Sequence, residues 1–371
     1  MGEVEQTQIV TRARLIDLVT SDRLHCLELI AGLMVEKRQV VTPMGVKIGR
    51  TEPSDFVIAD SEISRSHCFV TLNGDELMVA DLNSTNGTFV DGVRVTGPTP
   101  VPVGSVLQVG KRTLKHEWRT RDEFEQSEEG DRDLQRAASY VRALLPPPQD
   151  GGPIRTEWVY QPSAKLGGDT FGYGRLNEHQ FIAYLIDVAG HGAGAALHAV
   201  AITNQLRQRS LPNTDMGRPE LVLSTLNELF QMEDHDGLYF TIWYGVFDSR
   251  TRELTYASGG HHPAYMVTPE RKIAVPLKTR NLMIGAMPAM PFIQATVTVP
   301  SSACLYLFSD GVFEVVDKDG QEWGVEDFVK HILAPPRPGV AEPQRLFEAV
   351  CRETGSRTFD DDFSLVAFHF D

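Results

Sequence analysis

Four aspartate-bearing patches fall where the sequence predicts strand ends. Gly167-Gly168-Asp169 follows an extended segment, and Asp187-Val188-Ala189-Gly190-His191-Gly192 follows the apolar run Phe181 to Ile186. Ser309-Asp310-Gly311 follows Cys304 to Phe308, and Asp360-Asp361-Asp362 precedes Phe363 to Phe370. An aspartate beside a glycine at a strand end can present its carboxylate on an exposed loop. Several such carboxylates brought together repel one another, and a pair of hard divalent cations is the natural remedy. Two close metals can activate a water and hold a phosphoryl group for in-line attack. Taken one at a time, each patch is more often a turn than a ligand.

A second set of residues has the opposite charge. Ile48-Gly49-Arg50, Ser64-Arg65-Ser66-His67 and Asn83-Ser84-Thr85-Asn86-Gly87-Thr88-Phe89 supply two guanidiniums, several hydroxyls and an amide. Arginine and hydroxyl donors together suit a phosphate dianion, because charge-assisted hydrogen bonds are the strong ones. The Asn86 carboxamide can hold an extended peptide backbone. Singly these patches are weak signals, since a lone arginine in a turn is usually a solvated charge and Asn-Gly is usually a hairpin.

The elements that must position the two sets differ in kind. Leu24 to Ile30, Val35 to Val41 and Cys68 to Leu72 read as short strands, and Asn73-Gly74, Asn86-Gly87 and Asp91-Gly92 mark tight turns between apolar runs. This predicts an all-β domain over 24–118. A polar tail precedes it over 1–23, with a short helix expected over Thr11 to Leu18. Residues 119–152 form an acidic, helical linker. There Leu134, Ala137, Ala138, Val141, Leu144 and Leu145 follow helical spacing, and Pro146-Pro147-Pro148 ends the helix. One apolar stripe needs a surface to cover it, so the helix, placed from about Arg132 to Leu145, reads as a contact between two copies of the chain or else as a plain tether. From 153 to 371, strands over Gln180 to Val188, Leu238 to Phe247, Leu254 to Ala257, Cys304 to Phe308 and Ser364 to Phe370 accompany helices over Ala193 to Arg209 and Pro219 to Phe230. The strands come mostly in pairs, which favours antiparallel sheets flanked by helices over a doubly wound parallel sheet.

Composition narrows the function classes. The chain has 371 residues, enough for two or three domains, and a formal net charge of -15. Nucleic acid and anionic membrane surfaces should repel it, and it contains no long basic run. Its four cysteines, Cys26, Cys68, Cys304 and Cys351, form no CxxC pair and read as plain buried or half-buried thiols. Cys304 and Cys351 lack the loop that a thiolate phosphatase needs. The start MGEVEQTQIV has neither a basic nor an apolar signal region, and Gln6 stands where a myristoylation motif wants Ser or Thr. No apolar run approaches a membrane span, so a cytoplasmic location is expected.

In their order and spacing, Gly49-Arg50, Ser64-Arg65-Ser66-His67 and Ser84-Thr85-Asn86-Gly87-Thr88 resemble the forkhead-associated (FHA) family over residues 24–118. The resemblance implies an all-β sandwich whose loops bind a phosphothreonine-containing protein. Arg50, Ser64 and Arg65 would contact the phosphate, and Thr85 and Asn86 the peptide backbone. His67 would buttress the loops and Gly87 would shape the turn.

The four acidic patches, with Leu144-Leu145-Pro146, Gly260-His261-His262-Pro263 and Asp361-Asp362-Phe363-Ser364, resemble the SpoIIE-like branch of the PPM-type protein serine/threonine phosphatases over residues 134–371. That implies an α+β domain of two antiparallel sheets flanked by helices, with two divalent ions, Mn2+ or Mg2+, at one end. By the same resemblance Asp187 bridges the metals, the Val188 carbonyl adds a ligand, and Asp310 and Asp361 complete the set. Asp169 is a ligand or an anchor behind the ligands, and Asp362 shares the candidacy of Asp361. His191 is a general acid for the leaving oxygen or an orienting group for water, and His261 packs beside the site. The family often has a second aspartate three positions after the first; here that position is Gly172. The implied substrate is a phosphoprotein of the STAS type. A competing function is a phosphopeptide-binding scaffold with an inactive phosphatase domain, against which the retention of Asp187, Asp310 and Asp361 argues.

Overall fold

The computed structural model describes residues 23–31 and 34–371. The helix expected over Thr11 to Leu18, and the tail before Arg23, lie outside the described residues. The chain divides into two compact units, residues 1–133 and 134–371.

The first unit is a sandwich of two sheets. One is six-stranded, in the order Met34–Val40, Arg23–Ala31, Arg112–Thr120, Val106–Val109, Thr88–Val90, Val93–Arg94. The other is five-stranded, in the order Phe56–Val57, Val46–Gly49, Cys68–Asn73, Glu76–Asp81, Thr99–Pro100. Pairing is antiparallel except between Val46–Gly49 and Phe56–Val57. Alternating residues such as Leu27, Ile48, Val70, Val79, Leu107 and Leu114 fill the space between the sheets. The fold is the all-β sandwich expected from the sequence.

The linker helix, α1 (Arg121–Leu144), starts about eleven residues earlier than the apolar spacing suggests. The reason is a capping box. Glu123 N–H donates to Thr120 Oγ1 at 3.2 Å, and Thr120 N–H donates to Glu123 Oε2 at 2.8 Å. Arg38 pairs with Asp131, so the charged first half of α1 has partners in the first unit. No residue of α1 is buried; Leu134 is 37% and Tyr140 61% exposed.

The second unit has four layers. Its first sheet runs Ile154–Gln161, Phe363–Phe370, Cys304–Phe308, Ala264–Val267, Ala274–Leu277. Its second runs Thr170–Arg175, Gln180–Val188, Phe240–Asp248, Glu253–Gly259, Ala295–Thr298. Both are antiparallel throughout. Leu185, Trp243, Leu305, Leu307, Val366 and Phe368 pack between them. Helices α2 (Ala193–Gln208) and α3 (Pro219–Leu229) cover the outer face of the second sheet through Ala199, Ile202, Leu206, Val222 and Leu226. Helices α4 (Val325–Leu333) and α5 (Glu342–Thr354) cover the first sheet through Phe328, Ile332, Leu346 and Val350. This is the α+β architecture expected, with α4 and α5 added to it. The strand expected from Leu238 begins at Phe240. All four cysteines are free thiols, buried except for half-buried Cys351. Among the described residues no helix is long and apolar enough to cross a membrane.

Candidate functional site

Strand alternation decides where the acids of the second unit point. In Gln180–Val188, Ile182, Tyr184, Ile186 and Val188 pack toward α2 and α3, while Ala183 and Leu185 pack between the sheets. Asp187 shares the parity of the latter pair, so it faces the gap between the sheets at the strand's open end. Asp169 just precedes Thr170–Arg175, in which Phe171 and Tyr173 also face that gap. From the other sheet, Asp362 precedes Phe363–Phe370, and Asp310 opens a short 3-10 turn after Cys304–Phe308.

Asp362 is buried, and its carboxylate is fully engaged. Oδ1 accepts from Ser163 N–H at 2.7 Å and from the Ser163 hydroxyl at 2.9 Å, and Oδ2 accepts from Asp169 N–H at 3.2 Å. Asp361 is exposed instead, with one oxygen taking Asp362 N–H at 2.7 Å. The two neighbours therefore have different tasks: Asp362 fastens the loop before Asp169, and Asp361 is the one free to reach a ligand. Close packing fixes this arrangement. A Cβ on Gly167 would lie 2.4 Å from Asp362 Oδ2, one on Gly168 would lie 2.8 Å from the Val188 carbonyl, and one on Gly311 would lie 2.4 Å from the Asp362 carbonyl.

The acids raise one another's proton affinity. Loss of water pushes Asp187 up to about 8, with Asp310, Asp361, Asp362 and Glu314 adding to the rise. Burial holds Asp169 well above the carboxylate range, helped by Asp187 and Asp362. Asp169 is 2% exposed, and its Oδ2 has no hydrogen-bond partner. Burial also raises Asp310, with Glu314 adding to it. Partial loss of water around its carboxyl raises Asp361 too, although its side chain reaches the surface; the bond from Asp362 N–H works against this, and the Asp310 charge works with it. Glu314 is the member that the sequence reading missed. It lies four residues beyond Asp310, one helical turn on, and its N–H bonds the Asp310 carbonyl at 2.8 Å. His191 is exposed on the glycine-flanked loop after Val188, close enough to Asp361 for its charge to bear on that carboxyl.

Hard oxygen donors, one of them a buried orphan, suit Mg2+ or Mn2+. Among the described residues, no three His, Cys, Asp or Glu side chains already stand in ligand geometry. His261 and His262 differ from the acids. Each ring donates through Nδ1 to a backbone carbonyl, of His262 at 2.9 Å and of Pro263 at 3.1 Å, and each Nε2 is left without a partner. Burial pulls His261 down to about 4 and His262 well below its usual value; His262 packs against Phe308 and His261 against His262.

In the first unit Arg50, Ser64, Arg65, Thr85 and Asn86 line one cleft of about 260 Å3, together with Ser61, Glu62 and Ile63. His67, fully buried, holds the loops around it. Its Nδ1 accepts from Ser64 N–H at 3.1 Å, and its Nε2–H donates to the Gly87 carbonyl at 3.0 Å. Ser64 Oγ accepts from Thr85 N–H at 3.0 Å, which joins the second patch to the third. Asn86 is less free than the sequence suggests. Its amide donates to the Glu62 carbonyl at 2.7 Å and to Glu62 Oε2 at 2.8 Å.

With both sites described, the comparisons with known proteins are direct. Residues 177–371 match the family model of stage II sporulation protein E (SpoIIE). The chain belongs to the SpoIIE family. Residues 46–110 match the FHA domain, so this SpoIIE-family chain carries that module ahead of its phosphatase-type unit. Over 187 residues it is 26% identical to phosphoserine phosphatase RsbP of Bacillus subtilis (strain 168), covering 49% of this chain and 45% of the relative. Over 84 residues it is 34% identical to the FHA domain-containing protein FhaB of Mycobacterium tuberculosis (strain ATCC 25618 / H37Rv), covering 23% of this chain and 54% of the relative. The chain thus spans about half the length of the curated relatives it matches. Among solved structures, the SiaA-PP2C domain of Pseudomonas aeruginosa superposes with a TM-score of 0.56 at 18% identity, covering 66% of this chain and 98% of that one. At that identity the likeness speaks to the fold of the SpoIIE-family unit.

The raised carboxyls set a pH dependence. Asp187 binds its proton up to about 8 in the folded unit but only up to about 3.9 in an unfolded chain. Between those values the folded state holds more protons, so stability falls as pH rises. In EDTA, the melting temperature of the second unit should drop steadily from about pH 5 to pH 8. Adding Mn2+ at the upper end should restore it, as differential scanning fluorimetry would show. A flat profile in EDTA would contradict the clustering of charge.

Proposed function

We propose that the SpoIIE-family unit hydrolyses phosphoserine or phosphothreonine on a protein substrate, and that the FHA unit binds a phosphothreonine-containing protein. The observation that carries the first part is the meeting of Asp169, Asp187, Asp310, Asp361 and Glu314 at one end of the sandwich, with burial and mutual repulsion raising the four aspartates. Asp187, the Val188 carbonyl, Asp310 and Asp361 would hold two divalent ions, Mn2+ or Mg2+, with Asp169 behind them. When bound, these ions supply charge neutralisation for the phosphoryl group and a water acidic enough to act as nucleophile. Asp362 keeps the loop of Asp169 in register. His191, exposed beside Asp361, can hand a proton to the departing serine or threonine oxygen. The name of RsbP supports a phosphoserine substrate, and a phosphorylated STAS-type protein is the substrate class that the sequence resemblance implies.

The second part rests on the shared cleft of Arg50, Ser64, Arg65, Thr85 and Asn86. Two guanidiniums and a hydroxyl converge there in a chain of net charge -15, a local reversal that suits a phosphate dianion. The apolar stripe of α1, exposed at Leu134 and half-buried at Val141, supports a third element, pairing of two protomers through these two residues.

Three outcomes are expected. Asp187→Asn should lower Mn2+-dependent turnover of a phosphoserine protein by about a hundredfold or more, with the fold intact by circular dichroism. Turnover within a few-fold of the parent would refute the two-metal reading. Arg50→Ala should weaken a phosphothreonine peptide by more than about 2 kcal/mol in calorimetry, while turnover of a small phosphate ester survives. Leu134→Asp combined with Val141→Asp should halve the mass seen by light scattering without unfolding either unit, since neither side chain is buried.

A further inference from the structure

The strands that end in Asp169 and Asp187 carry a second feature on their opposite face. A cleft of about 250 Å3 opens there, roofed by Leu144, Pro146 and Pro147 where the chain leaves α1. Its floor is Gly172, which faces Tyr184 across the ladder. A Cβ at 172 would lie 2.3 Å from the Tyr184 hydroxyl, so only glycine leaves the phenol room to lie flat under the strand. Tyr184 is 3% exposed, and that remnant opens into the cleft. Its hydroxyl is not among the fully enclosed polar atoms left without a partner, so it keeps a small solvent-facing surface toward the cleft.

Two cations border this hydroxyl. Arg207, exposed in the last turn of α2, lines the cleft, and its charge bears on Tyr184. Arg209 is pinned: its guanidinium donates to the Leu176 carbonyl at 2.9 Å and to the Arg175 carbonyl. The C-terminus of α2 favours a cation nearby, which accounts for an arginine in its last turn. It does not account for a tyrosine only 3% exposed whose hydroxyl has only the cleft to bond into. The helix end also opposes an anion, so a single arginine would do little more than cancel it; the cleft has two.

We propose that this cleft binds a small organic anion, with one phosphate or carboxylate group held by Arg207 and the Tyr184 hydroxyl and a compact apolar body against Leu144, Pro146 and Ile182. The volume is below that of a drug-sized pocket, which limits the ligand to a few tens of atoms at most. The Tyr184 hydroxyl donates to the anion, Arg207 supplies the charge-assisted bonds, and Arg209 supplies a fixed field. The site is separate from the acid cluster and from the FHA cleft, and it does not depend on hydrolysis.

The test uses the full chain carrying Arg50→Ala, so that the phosphate-reading loops contribute little, and EDTA, so that metals contribute nothing. Phenylphosphonate, benzoate and inorganic phosphate are titrated in turn by calorimetry. One saturable site per chain is expected for phenylphosphonate or benzoate, and the tighter of the two identifies the head group. Arg207→Ala should weaken that binding about tenfold or more, and Tyr184→Phe, which keeps the ring, about three- to tenfold. Absence of saturation with all three probes, or unchanged binding in Arg207→Ala with its circular dichroism intact, overturns the site. Inorganic phosphate binding as tightly as phenylphosphonate overturns the apolar part of the recognition.

Discussion

The carboxylate of Asp362 closes the sandwich of the second unit at the end where the acids meet. It stands at the start of a strand of one sheet and takes three hydrogen bonds from the loop that leads into the other. Hydrogen bonds to a charged group contribute roughly 1.5–3 kcal/mol each, so this clasp can hold Asp169 beside Asp187 against their repulsion. With the clasp in place, strand alternation aims the remaining acids into the same gap, and the hydrophobic layers behind them give the gap rigid walls. Loss of water, with the repulsion left over, shows in the raised proton affinities of Asp169, Asp187, Asp310 and Asp361.

The first unit solves the mirror-image problem. Its cleft gathers cationic side chains, and what holds the loops is a fully buried histidine bonded on both ring nitrogens to backbone. Asp81 plays a supporting part. Burial would raise its carboxyl, but hydroxyl and backbone bonds from Ser84, with the Thr88 hydroxyl, outweigh that and hold it below the usual range. Each unit thus separates the groups that carry charge to the surface from the groups that fix the loops.

Much of this was legible in the sequence, because glycine-flanked aspartates and loop arginines at strand ends are local signals. Loose alternation marked the strands of the first unit, paired apolar runs marked the antiparallel strands of the second, and the order of the patches gave both families. What stayed hidden depends on tertiary contact or on a short-range rule passed over. The Thr120-x-x-Glu123 capping box starts α1, yet apolar spacing alone placed the helix at about Arg132. The run Asp360-Asp361-Asp362 leaves its register open until the Ser163 bonds single out Asp362 as the anchor. Glu314 could have been found from its helical-turn spacing to Asp310. The grip of Asn86 on Glu62 spans 24 residues and has no sequence signature.

The glycines at 167, 168 and 311 have a consequence for kinship. Each stands where a methyl group would strike either the Asp362 carboxylate or a backbone carbonyl at the acid pocket. A descendant could therefore keep every acid and still lose the pocket through a single alanine at one of the three. Surveying paralogues for pseudoenzymes by their aspartates alone would miss such a lesion. In this lineage the glycines carry as much of the diagnosis as the carboxylates do.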